Sequence, residues 1–161
     1  MTKQNESGRT LLEMLGVLAI IGVITVGAMS GLKFGTDSFR ATALHDMVET
    51  TAQGVADLYS WSREYPTTGD DSKVISLADA VPDNGICDAF KCKADGDVVK
   101  AITTYGTMTI ASGDESYFTI TLTAIPKDIC MRLAAITWQN VNWDESQTCE
   151  EDTQDIEFVV E

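Results

Sequence analysis

This sequence predicts an α+β fold, in which one long N-terminal helix, hydrophobic in its first half and amphipathic in its second, packs on a small antiparallel sheet. Two observations lead there. From Met14 to Leu32 the chain runs 19 residues without a charge, and no proline precedes Pro66. Later, Tyr117 to Ala124 alternates strictly, with Phe118, Ile120, Leu122 and Ala124 on one face and Thr119, Thr121 and Thr123 on the other. A period of two is the mark of a strand with one buried face.

The proline-free stretch predicts a single helix from about Thr10 to about Trp61. As a helix the uncharged run spans roughly 28 Å, close to the hydrocarbon thickness of a bilayer. It is longer than a signal-peptide core, and no A-x-A-like site follows it. Being apolar on all sides, this half belongs in lipid or among other helices. The second half is different. Phe39, Ala43, Met47, Val55 and Leu58 recur at helical spacing, while Arg40, Asp46, Glu49 and Asp57 occupy other faces, so only one side is expected to be covered. Gly16, Gly22, Gly27 and Gly31 punctuate the apolar half. They serve either helix flexibility or close helix packing, because glycine weakens a helix by about 1 kcal/mol relative to alanine and lets backbones approach.

Residues 65–100 read as loop, with Pro66, Gly69-Asp70-Asp71 and Pro82-Asp83-Asn84-Gly85, and with a short helix over 76–80. Strands are expected over Thr103–Ala111 and Tyr117–Ala124, joined by the turn residues Ser112 to Glu115. Ile125-Pro126 then opens a short helix with Ile129, Leu133 and Ile136 as its buried stripe. A polar loop carrying Trp138, Trp143 and Cys149 leads to a closing strand, Asp155 to Glu161, in which Ile156, Phe158 and Val160 share a face.

The 11 basic and 25 acidic side chains leave a formal net charge of −14, which repels phosphates and argues against a nucleic-acid partner. Of three pairings open to Cys87, Cys92, Cys130 and Cys149, the local one, Cys87–Cys92 and Cys130–Cys149, is expected, since each pair brackets a compact polar loop. A zinc site is disfavoured because tight C-x2-C spacing is absent. His45 is the single histidine and no G-x-S-x-G pattern occurs, so no catalytic residue, cofactor or metal is expected. Asp95-Gly96-Asp97 and Gly69-Asp70-Asp71 read as solvated turns rather than calcium loops. Phe34, Phe39, Tyr59 and Trp61 read as packing residues.

Gly8, followed by Arg9-Thr10-Leu11-Leu12-Glu13 and about twenty apolar residues, resembles the processing and assembly region of type IV prepilins. The segment Ile125 to Cys130 after a Thr-rich strand is similar to the type IVb branch. The resemblance implies a leader over 1–8, a membrane and filament-core helix half over 9–33, and a globular pilin domain over 34–161. It implies a non-enzymatic subunit, cut after Gly8 by a prepilin peptidase and methylated on Arg9. An assembly platform and an extension ATPase would move it from the inner membrane into an extracellular homopolymer. Such fibres serve adhesion, motility, DNA uptake or conjugation. Arg9 stands where the family commonly has an apolar residue, and Ser30 at about the place of a proline that many members carry.

Glu13 carries the physical core of that expectation. A carboxylate in hydrocarbon costs roughly 2.5–3.5 kcal/mol on insertion scales, and the apolar run offers no cation to offset it. Cutting after Gly8 creates an α-amino group near Glu13. In a staggered bundle, one subunit's amine neutralises its neighbour's Glu13, which makes Glu13 an assembly and registry residue. A minor pilin or secretion-system pseudopilin has the same features. A monomeric membrane-anchored binding or sensor domain is the expectation of another class, and it predicts no cleavage at Gly8.

Overall fold

The computed structural model describes residues 6–67, 81, 91–96, 98–114, 116–143 and 147–161. They form two compact units, one reaching Asp37 and the other running from Ser38 to Glu161. Helix α1, Glu6–Tyr59, contributes to both. Six strands follow among the described residues: β1 (Lys93–Asp95), β2 (Val98–Ile102), β3 (Thr107–Asp114), β4 (Tyr117–Pro126), β5 (Asn142–Trp143) and β6 (Thr153–Val160). A short helix, α2 (Lys127–Ala134), lies between β4 and β5. The sheet order is β1-β2-β3-β4-β6-β5 and every pairing is antiparallel. The α+β expectation holds.

The core of the second unit lies between the second half of α1 and the inner face of the sheet. On α1 Ala41, Leu44, Val48, Ala52, Val55 and Tyr59 are buried at steps of three and four that form one stripe, with Met47 and Thr51 buried beside them. The expected stripe was out of phase: Met47 and Val55 are buried, but Phe39 is 75% exposed and Ala43 is exposed. Ala41 and Leu44 take the inward places, because the stripe is set by the sheet it meets rather than by the largest side chains. The sheet supplies Met108, Ile110, Phe118, Ile120, Leu122, Ile156 and Phe158, all essentially inaccessible to solvent. Each such side chain is worth about 1.5–3 kcal/mol in apolar burial.

Strand β4 departs from its alternation at one point. Phe118, Ile120 and Leu122 face inward as expected, but Ala124 is exposed and Ile125 takes the buried place. A register shift between Leu122 and Ile125 accounts for it. One extra residue is accommodated there, with Ala124 at φ 58 and its N–H donating to Asp155 Oδ1 at 2.9 Å. The bulge then delivers Pro126 to the N-cap of α2, where Ile129, Cys130 and Leu133 are buried and Ile136 follows beyond the helix.

Other boundaries also moved. Residues 98–100, expected as loop, belong to β2, which continues to Ile102. The strand placed at Thr103–Ala111 begins at Thr107 and continues to Asp114, because Thr103 to Gly106 turn instead: Thr103 N–H donates to Gly106 O, and Gly106 N–H to Thr103 Oγ1. The closing strand starts at Thr153. Cys130–Cys149 is a disulfide with Cα atoms 5.8 Å apart. Cys92 is also disulfide-bonded, while its expected partner Cys87 lies outside the described residues. So do the short helix over 76–80 and the turns at 69–71 and 82–85.

Candidate assembly surface

The first half of α1 shows how apolar a helix can be without being covered. Every residue from Leu11 to Thr36 is exposed, including Leu12, Val23 and Leu32. Polar side chains inside this stretch turn back on the helix itself. Thr25 Oγ1 donates to Ile21 O at 2.7 Å and Ser30 Oγ to Val26 O at 3.1 Å, so neither hydroxyl needs an outside partner. This is the one described helix long and apolar enough to cross a membrane.

Glu13 is exposed near the start of that stretch, and it is the only carboxylate between Leu11 and Thr36. Gly8 and Arg9 are helical positions of α1. The nitrogen of Arg9 lies four residues before Glu13, roughly 6 Å along the helix axis. Gly16, Gly22, Gly27 and Gly31 share a property: a Cβ added at any of them meets nothing within 4 Å. Nothing in the single chain therefore requires glycine there. Gly113 stands in contrast, because an added Cβ would collide with the Tyr117 ring.

A second constellation joins the other half of α1 to the loop after α2. Glu49 accepts the N–H of Gln139 at 2.7 Å, the N–H of Asn140 at 3.1 Å and the Asn140 side-chain amide at 2.7 Å. Beside it the His45 ring lies 4.7 Å from that of Trp138, whose Nε1–H donates to Leu133 O. Trp138 in turn packs on Phe158 and Trp143. The sequence placed Glu49 only on the polar side of the helix and did not mark Asn140, since about 90 residues separate them. Among the expected packing aromatics Tyr59 is buried, whereas Phe34, Phe39 and Trp61 are exposed.

Burial pushes the Tyr65 hydroxyl above the ordinary tyrosine range. The hydrogen bond from Lys100, assisted by its charge, holds the Asp95 carboxyl below the usual carboxylate value. Among the described residues no cluster of His, Cys, Asp and Glu is built to hold a metal ion.

Comparison with family models, curated proteins and solved structures gives no match for this chain. The layout of a long apolar N-terminal helix with an antiparallel sheet packed on its later turns, closed by a C-terminal disulfide, is type IV pilin-like.

Proposed function

We propose that this chain is the structural subunit of a type IV pilus, cut after Gly8 and polymerised through the first half of α1. One observation carries the proposal: a helix exposed from Leu11 to Thr36, with Glu13 the only carboxylate in that stretch. Lipid covers such a surface before assembly, and neighbouring copies of the same helix cover it afterwards. In the bundle the amine of Arg9, freed by a prepilin peptidase, neutralises Glu13 of an adjoining subunit and fixes the stagger. The four glycines of the apolar half let helices approach or bend. The path runs from inner membrane to extracellular filament, driven by an assembly platform and an extension ATPase. The subunit has no catalytic role.

The test has two arms. N-terminal sequencing of the native protein should begin at Arg9. Glu13→Ala should insert in membranes normally yet lose all or most of the filaments recovered by shearing. A mature chain that keeps its first eight residues overturns the processing step, and normal filament yield from Glu13→Ala overturns the registry role.

A further inference from the structure

Among the described residues, the outer edge of β6 is closed by a strand for two residues and by a side chain for a third. β5 pairs Asn142 with Val159 and Trp143 with Phe158. One step further, Gln147 Nε2–H donates to Glu157 O at 2.5 Å, and Gln147 Oε1 accepts the Glu157 N–H at 3.1 Å. A carboxamide is a peptide-group analogue, so these are the two bonds a paired strand residue would make.

They also set the phase of the edge. With the backbone groups of Glu157 directed outward, those of Asp155 and Thr153 are directed outward too, while those of Ile156 face β4. Alongside them runs an open groove of about 550 Å³, lined by Gln147, Thr148, Glu150, Glu151, Thr153, Gln154 and Asp155. Two tethers lie beside this groove. Cys149 is bonded to Cys130, and Gln154 Nε2–H donates to Cys130 Sγ at 3.0 Å. One cation lies beside the groove, Lys127, whose Nζ donates to the Glu150 carbonyl at 3.4 Å, against three carboxylates in the lining, Glu150, Glu151 and Asp155.

We propose that the β6 edge at Thr153 and Asp155 binds an extended, lysine- or arginine-bearing segment of another protein as an added strand, with Gln147 marking where that strand stops. Edge backbone groups supply the hydrogen bonds, and the acidic groove selects the sign of the partner's charge. The proposal holds whether the chain works as a polymer or alone.

Amide exchange and chemical-shift mapping on the full chain in detergent micelles test it, with an alternating threonine–lysine hexapeptide as probe. The peptide should slow exchange at Thr153 and Asp155, and its backbone N-methylated form and its threonine–glutamate counterpart should not. Glu150→Gln together with Glu151→Gln should weaken binding roughly threefold to tenfold. In Gln147→Ala the bound peptide should protect Glu157 as well, one pair further along the edge. Equal binding by the N-methylated peptide, or no protection at Thr153 and Asp155, overturns the proposal. So does an edge already held by a second copy of the chain that the peptide cannot displace.

Discussion

Val26 and Val55 are the same side chain on the same helix, yet Val26 is 69% exposed and Val55 is fully buried. The difference lies in what each half of α1 has for a neighbour. From Ala41 onward a buried stripe shares one core with Ile110, Phe118, Ile120 and Phe158, and the other faces are mostly polar. From Leu11 to Thr36 no stripe exists, because apolar side chains point in every direction and none of them is buried by the described residues. The second half is folded by its own sheet. The first half calls for a cover supplied from outside, and contiguous exposed apolar surface on this scale marks a membrane or protein contact. One helix thus obeys two solvents, with the change falling near Asp37.

The sharpest way to break that comparison is to make the same cut in both halves. Leu44→Ala removes a buried side chain from the α1 stripe and should cost about 2–5 kcal/mol. Leu18→Ala removes an exposed one and should change the unfolding of the sheet-bearing unit by no more than about 0.5 kcal/mol. Urea titration of both variants in detergent, read by tryptophan fluorescence, checks the pair. Comparable losses would mean that the two halves share one core.

The sequence displayed this division because composition and period are local properties. Apolar all-round character was visible from Met14 to Leu32, and the alternation of Phe118, Ile120 and Leu122 needed only neighbouring residues to be read. Three features were not visible. The phase of the α1 stripe depends on which turn meets the sheet, so Ala41 and Leu44 displaced Phe39 and Ala43. The bulge at Ala124 places a non-glycine residue at φ 58, a conformation that no local pattern announces. β2 carries Lys100 in its middle and β5 has only two residues, so each exists through its pairing partner rather than through its own pattern. For the candidate assembly surface, Glu13 and the four glycines stood out as exceptions in an apolar run. Glu49 and Gln147 did not, since each bonds backbone groups remote in the chain or beyond a loop.

A smaller effect sharpens how α1 is tied to the C-terminal region. Glu49 is only 13% exposed and receives two backbone N–H groups and one side-chain amide from Gln139 and Asn140. Glu49→Ala leaves those donors to water and should cost about 1.5–3 kcal/mol, the range for bonds to a charged group. Glu49→Gln keeps the shape and an acceptor oxygen and should cost less. Faster amide exchange at Gln139 and Asn140 in the alanine variant, with β3 and β4 unchanged, would locate the loss at this loop. Uniform acceleration across the sheet would instead make Glu49 part of the global core.

The smallest effect belongs to the opposite edge of the sheet, where solvent screens everything. Lys100 Nζ lies 2.7 Å from Asp95 Oδ2, and the pair joins β2 to β1. The hydrogen bond and charge of Lys100 lower the Asp95 pKa in the folded chain. A depressed carboxylate pKa stabilises the fold above the unfolded value of about 3.9, and that contribution disappears as pH falls through the lower folded value. Near neutrality the pair therefore adds a constant amount, and its pH dependence falls wholly on the acid side. Because Asp95 is fully exposed, the amount is slight and should shrink further as salt rises. Lys100→Met should return the Asp95 carboxyl to an ordinary titration in a carbon-detected NMR series, while leaving the buried stripe of α1 undisturbed. An unchanged Asp95 midpoint in that variant would assign the shift to another neighbour and remove Lys100 as the clasp of the β1 edge.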